Sequence, residues 1–397
     1  VSLDSDVGIN RSMVALIRLP FDTDGDGYAR ILGGGDCNDD DPQIHPGAVD
    51  IHGNTIDEDC DGRLVIEPPK MKIRPVGQNA LTRLGFRPPY SVIMVTVDGL
   101  RPDHLGFYGY GRETTPSIDD LASESVVFKN TYAVSSAMEA SIASLLSGRF
   151  PSELTRNFAQ ATTFGRDNLF LAETLAAQGY HTAAFVSHWY FDKTSGLDQG
   201  FDYWQPYVVE KGRLPFVPTA ETVVTSAVQH LNRLEPDRTK PFFLWLHIID
   251  PQPNYLRHLE IPRFGTSTMD RYDHEIRYVD TWLEWFFKSL RQRQDWADST
   301  VVILAGSRGE AFRGKEKVSL DEATLRVPLI VRVPGVPPRP VETRSSLIDL
   351  VPTVLDLAGI QKNDSSRVAM GPRGRSLVPM FLGKKMASRP VFAEAPR

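Results

Sequence analysis

Three aspartates, Asp22, Asp24 and Asp26, alternate with threonine and glycine in the run DTDGDGY. Glycine between acids lets a tight loop turn successive carboxylates toward one centre. Hard oxygen ligands in that spacing suit Ca²⁺, with the Tyr28 carbonyl as a fourth ligand. Asp36, Asn38 and Asp40 follow closely enough to complete the shell, and Asp57, Asp59 and Asp61 lie in a second cluster able to hold another ion. From Asp22 to Asp61 there are twelve acids and one base, Arg30, a charge of -11 in a chain of net -6, which leaves +5 for the remainder. Acids packed this densely repel unless a cation neutralises them; the alternative is a solvated acidic loop. The two cysteines, Cys37 and Cys60, both fall in this segment. They read as one disulfide, which points to an oxidising, extracytoplasmic setting.

Another acid is placed differently. Asp98 ends the apolar run SVIMVTV and is followed by a turn glycine, Gly99. Such a run reads as a strand buried on both faces of a parallel sheet. Ligands of open α/β sheets bind at the carboxyl ends of strands, so Asp98 stands where a metal-binding carboxylate would be useful.

The elements that must position Asp98 are legible downstream. Strands are expected at Val126–Tyr132, Thr182–Ser187, Phe242–Ile249, Thr300–Ala305 and Val327–Val333. Helices are expected at Pro116–Glu124, Ala140–Ser147, Leu169–Gln178, Ala220–Leu234, Tyr272–Arg293 and Leu350–Ala358. The alternation argues for an α/β fold, a mostly parallel sheet with helices on both faces, beside a small irregular module stabilised by calcium and a disulfide. The expected organisation is an N-terminal segment 1–20, an acidic metal-binding module 21–62, a Pro-rich linker 63–89 and a large domain 90–397. The acidic module has few large apolar residues and needs its metal and disulfide for order; the disulfide alone is worth ~3 kcal/mol. No apolar run approaches the ~20 residues of a membrane helix, and residues 1–20 lack a secretory signal pattern. No basic tract or aromatic–basic stripe suggests nucleic acid.

The segment from Asp22 to Gly62 resembles the metal-binding motif found beside secreted bacterial domains, and thrombospondin type-3 calcium repeats. It begins like an EF-hand loop but has Gly33 where the bidentate glutamate would stand. The stretch VTVDGLRPDHLGFYGYGRETTPSIDDLASESVVFKNTYA resembles the opening of a sulfatase of the alkaline phosphatase superfamily. SLLSGRFPSEL, GLDQGFDYW, LWLHIIDP, HEIRYVDTWLEWFFKSL, TVVILAGSRGEAF, LRVPLIVRVPGV and SLIDLVPTVLDLAGI follow in the family's order. The resemblance implies a nucleophile, formylglycine or threonine, and a divalent cation held by acidic residues. It also places the nucleophile ten residues before Gly148, at Met138, whose thioether has no proton to lose. The metal-ligand pair before Gly309-Glu310 is Ser307-Arg308, and a guanidinium does not bind metals. His247 and Asp250 are retained, Gln252 replaces a frequent histidine, and a glycine-rich segment is reduced to Lys315-Glu316-Lys317. Together, Asp98, Met138, His247, Asp250, Ser307 and Arg308 read as a vestigial site with no catalytic metal.

The expectation is therefore a catalytically inactive, sulfatase-like scaffold for an unidentified protein or envelope partner. The alternative is an active hydrolase or phospho-transferase with a rearranged site. Relatives that join the acidic motif to such a domain often carry membrane helices upstream, so a tether before residue 1 is an open expectation, as is a missing or truncated C-terminal subdomain. Among single residues, His104 and His181 read as structural, and Trp282, Trp285, Phe286 and Phe287 as core at helical spacing. His247 reads equally as a core histidine, and His188-Trp189 as pocket lining. Arg308 is expected to pair with Asp98.

Overall fold

The computed structural model describes residues 19–31, 35–46, 48, 56–58, 60, 89–157, 162–192, 195–207, 219–234, 240–253, 255–293, 296–312, 319–360 and 372–395. The chain divides into two compact units, Val1–Pro69 and Lys70–Arg397. The division falls inside the expected linker. Residues 61–88, with Asp61, lie outside the described set, as do Asp59 and Lys315-Glu316-Lys317.

The larger unit is built on strands β1 (Ser91–Val97), β2 (Val126–Tyr132), β3 (Arg156–Asn157), β4 (Thr163–Phe164), β5 (His181–Ser187), β6 (Tyr203–Tyr207), β7 (Phe242–Ile248), β8 (Thr300–Gly306), β9 (Arg326–Arg332), β10 (Arg339–Val341) and β11 (Ser345–Ser346). The main sheet runs β10-β2-β9-β8-β1-β7-β5-β6, with β11 also on β2; β3 and β4 form a separate ribbon. All neighbours in the main sheet are parallel except β9, which is antiparallel to both β8 and β2. Central β1 is apolar and buried along nearly its whole length because both of its faces are covered. One apolar cluster contains Met94, Trp245 and Ile303; the other contains Ile93, Leu246 and Leu304.

Proline placement follows from the missing N–H. Pro206 and Pro340 sit on the two edge strands, β6 and β10. Pro328 lies inside the sheet, opposite a register shift in β2 between Phe128 and Thr131.

Helices of eight residues or more, among the described residues, are α1 (Pro116–Ser123), α2 (Met138–Ser147), α3 (Ala220–Leu234), α4 (Thr268–Arg291) and α5 (Leu350–Leu357). Helix α4 starts a turn earlier than its apolar periodicity indicates. A reciprocal capping box, Ser267 with Asp270, satisfies its first N–H groups. Helices α1 and α3 are capped from elsewhere in the fold: Asp280 of α4 accepts from Ser117 N and Ile118 N, and Asp250 accepts from Thr219 N and Ala220 N. The expected helix at Leu169–Gln178 is shorter, Leu171–Ala176. Phe286 and Phe287 are core residues, whereas Trp282 is only partly buried and Trp285 is 41% exposed on the outer face of α4. Among the described residues, no helix is long and apolar enough to cross a membrane.

Candidate functional site

Strand β1 delivers Asp98 to the carboxyl edge of the sheet. Its backbone N–H bonds to Ile248 O, the end of β7, and Ser307 N bonds to Val97 O, drawing in the end of β8. Gly99 turns the chain sharply with φ +72°, and a Cβ there would lie 2.9 Å from Pro251 O. The turn therefore needs glycine both for its dihedral and for its clearance.

Asp98 is fully buried, and both its oxygens are engaged. Ser307 Oγ donates to Oδ1 at 2.6 Å; Gln252 Nε2 and Arg308 Nη2 donate to Oδ2 at 2.6 and 2.8 Å. Burial alone would push this carboxyl up. The Arg308 charge, nearby His247 and the two neutral donors outweigh burial and hold it below the ordinary carboxylate range. Burial lowers the Arg308 pKa, but Asp98, Glu310 and Glu139 more than offset that and keep it charged. The expected Arg308–Asp98 contact is therefore present, with about a fifth of the arginine side chain exposed.

His247 sits on β7 beside Thr96 of β1, fully buried. Thr96 Oγ1 accepts from Trp245 Nε1 and lies 3.2 Å from Leu246 O and 2.8 Å from His247 Nδ1. His247 Nε2 has no hydrogen-bond partner among the described residues. Burial pushes His247 down to about 4. His188, also pushed down to about 4 by burial, lies near Asp98 and Arg308 at a backbone φ of +125°. It belongs to the same cluster.

The other expected site residues engage groups other than Asp98. Asp250 accepts from Thr219 Oγ1 as well as the two backbone groups that begin α3, so its carboxylate is a helix cap. Met138 opens α2 and packs into the apolar core. Ser141 donates to Ser307 O at 2.5 Å and is thereby committed, while the Ser136 hydroxyl is buried without a partner among the described residues. His104 is structural, bonded to Asp273 at 2.6 Å.

A divalent ion does not fit this constellation. One Asp98 oxygen accepts from a permanent cation, and the other accepts from a serine hydroxyl. Among the described residues, groups of three acidic, histidine or cysteine ligand atoms within 4.8 Å occur only in the N-terminal unit, and none includes Asp98.

In that unit, Asp22, Asp24, Asp26 and Tyr28 turn inward while the residues between them are exposed. Gly25 N and Gly27 N bond back to the two Asp22 oxygens at 2.7 and 3.0 Å and close the loop. Carboxylate atoms of Asp22, Asp24 and Asp39 converge, and so do those of Asp24, Asp26 and Asp36. One oxygen each of Asp24, Asp26 and Asp36 is buried without a hydrogen-bond partner among the described residues. Burial first, then the surrounding aspartates, push Asp36 up. Cys37 and Cys60 form the disulfide, with Cα atoms 5.5 Å apart. Asp40 is exposed, while Asp39 joins the first group, its oxygens also accepting from Thr23 N and Arg30 N. Asn38 binds Asp36 Oδ1 through its backbone N–H, and Asp57 belongs to neither group. Within a DDD run, sequence alone has no means of choosing which acid faces inward.

A mostly parallel sheet of this order, with an acid at the end of its central strand, is an alkaline-phosphatase-type α/β fold. The chain belongs to the sulfatase family, whose sequence profile matches residues 91–360. A metal-binding motif of the copper-binding MopE type matches residues 36–64. The chain is 26% identical to the N-acetylgalactosamine-6-sulfatase of Canis lupus familiaris, across 78% of this chain and 69% of that protein. It is 23% identical to the ulvan-active sulfatase of Formosa agariphila, across 71% of this chain and 65% of that protein. It thus spans about two thirds of these curated relatives. The crystal structure of Ps i-CgsB in complex with k-i-k-neocarrahexaose superposes with a TM-score of 0.63 at 19% identity, covering 75% of this chain and 77% of that one.

Proposed function

We propose that the large unit is a catalytically inactive sulfatase-family domain serving as a binding or assembly scaffold outside the cytoplasm, with an N-terminal module stabilised by Ca²⁺. The observation that carries this reading is the ion pair between Arg308 and Asp98. A guanidinium fixed to the chain supplies the positive charge, and the thioether of Met138 occupies the start of α2. A thioether cannot act as an alkoxide, and even a ~1 Å displacement of an attacking atom can cost ~100-fold in rate. In the N-terminal unit, oxygen-only donors with unpartnered, mutually repelling carboxylates favour a hard cation such as Ca²⁺ over copper.

The alternative is an active sulfuric ester hydrolase or phospho-transferase with a rearranged site. It draws on the relatives, which are named sulfatases, and on the unpartnered hydroxyl of Ser136. Purified protein assayed with aryl sulfate and aryl phosphate esters, with and without added divalent metal, separates the two readings. The scaffold reading expects no saturable turnover and metal only at the N-terminal unit. Turnover that disappears in Asp98→Ala would overturn it.

A further inference from the structure

The chain carries a net charge of -6, yet part of the larger unit's surface is strongly basic. Arg375 Nη1 donates to Ala387 O at 2.6 Å, and its Nη2 donates to Arg344 O at 3.4 Å. Arg389 pairs with Asp349, which also accepts from Arg375 N at 2.8 Å. Arg339 lies against Gly383, where an added Cβ would stand 2.4 Å from its Nη1. These contacts gather Arg339, Arg344, Arg375, Lys384, Lys385 and Arg389 into one patch, and Arg344, Lys384 and Lys385 are exposed. The acids beside them are Asp349, fully buried, Asp356, hydrogen-bonded to Ser376, and the exposed Glu342. Six cations against three acids leave +3. Among the described residues, only Arg389 of the six has an ion pair. Burial, then the neighbouring Arg389, push Arg375 down, and Asp349 offsets them only in part.

The segment that carries much of this charge is fixed in place. Residues 384–395 form no helix or strand, but Lys384 N bonds to Pro379 O at 2.9 Å and Glu394 N to Val134 O at 2.8 Å. The Glu394 carboxylate also accepts from Ser152 N and Oγ at 2.7 and 2.6 Å. Between these anchors, Phe392 is 64% exposed, its ring meeting Phe150 edge-on at 6.3 Å.

We propose that the segment Lys384–Phe392, with Arg339, Arg344 and Arg375 beside it, is a docking surface for an anionic phospholipid bilayer.

The composition of the patch selects this occupant. The cores of protein–protein interfaces are depleted in lysine and other charges, whereas two lysines and an arginine are outermost here. A soluble polyanion would meet the charges but leave Phe392 in water. A bilayer takes both: its headgroup phosphates meet the basic side chains, and an aromatic ring enters the boundary between headgroups and acyl chains. Because the segment is already anchored to the fold, docking has little chain to order. The attachment is reversible and salt-sensitive, and it does not depend on whether the Asp98 cluster is catalytic.

Flotation of the whole chain with vesicles tests this, with chelator present so that Ca²⁺ cannot bridge the N-terminal acids to lipid. The protein should float with vesicles of equal parts phosphatidylcholine and phosphatidylglycerol, and not with phosphatidylcholine alone. Binding should vanish at ~1 M salt, where charge reaches only ~3 Å against ~10 Å at ~0.1 M. Each basic residue near the surface is worth about fivefold in affinity, so Arg344→Gln, Lys384→Gln and Lys385→Gln together should weaken binding roughly a hundredfold. Those three side chains are exposed and hold no ion pair among the described residues, so the combined variant should fold. Phe392→Ser should weaken binding about tenfold. Changing three exposed arginines elsewhere, Arg257, Arg263 and Arg271, to glutamine should leave binding as it was. Failure to float, flotation only with Ca²⁺, or equal losses in the two triple variants would overturn the proposal. Inorganic polyphosphate bound as tightly as the vesicles, with Phe392→Ser having no effect, would also overturn it and assign the patch to a soluble polyanion.

Discussion

The acidic N-terminal unit and the Asp98 cluster solve the same electrostatic problem in opposite ways. In the first, Asp24, Asp26 and Asp36 direct buried, unpartnered oxygens toward one another, and nothing in the described part of the unit neutralises them. In the second, a single buried carboxylate has three donors, one of them the permanently charged Arg308. The environments accordingly displace the same residue type in opposite directions, Asp36 upward and Asp98 downward. Where the cation is covalently part of the chain, both carboxylate oxygens are engaged. Where it is not, the proposed function takes that charge from an ion in solution.

The largest expected effect follows from removing the built-in cation. Breaking a buried pair from one side costs ~3–5 kcal/mol. The partial exposure of Arg308 puts Arg308→Ala near the lower end, about 3 kcal/mol, read from denaturant midpoints. A loss below 1 kcal/mol, typical of a surface pair, would remove the distinction between the two regions.

Taking the cation from the N-terminal unit comes next. An ion bound only by the folded form contributes ~2.7 kcal/mol at a hundredfold excess over Kd. Chelator should make that unit protease-sensitive and leave the larger one intact, and Ca²⁺ should reverse the change. Asp36→Asn should mimic chelator, whereas Asp40→Asn should not, because Asp40 lies outside both carboxylate groups. Identical digestion with and without chelator would argue that the cluster is only a solvated loop.

Gln252→Ala should show a smaller loss. It removes one hydrogen bond to a charged acceptor, ~1.5 kcal/mol, and leaves Arg308 in place. Added divalent ions should not restore the lost stability. Restoration by metal would mean that Asp98 still accepts a ligand-bound ion.

Much of this contrast is legible in the sequence. Apolar runs announce β1, β7 and β8, and substitutions at Met138, Ser307 and Arg308 announce a changed site. Three things are not legible. The antiparallel run of β9 leaves no trace in its composition. Edge strand β6, reading YWQPY, carries a proline and no clear alternation. The roles of buried acids depend on contacts distant in sequence: Asp250 looks like a site residue yet caps α3 from 30 residues away. Asp280 caps α1 across 162 residues. Local pattern reports burial and turn chemistry well, but it says nothing about which distant N–H group an acid will meet.

The smallest expected signal is also the most discriminating, because its sign differs between the two regions. Asp98 has a folded pKa below its unfolded value of ~3.9. Its contribution is therefore present above pH ~4 and is lost as pH falls through the folded value. The net displacement is what remains after burial opposes Arg308, so the loss is modest. Asp36 is displaced upward, so in chelator its folded form is favoured by protonation. Its contribution is full below the unfolded pKa of ~3.9 and fades as pH rises through the folded value. Lowering pH from 6 toward 4 in chelator should thus make the N-terminal unit more resistant to an acid-active protease. Lowering it further should begin to destabilise the large unit, and Asp98→Asn should flatten that acid limb. Slopes of the same sign in both units would mean that the Arg308 charge does not govern Asp98, and that the two regions differ only in burial.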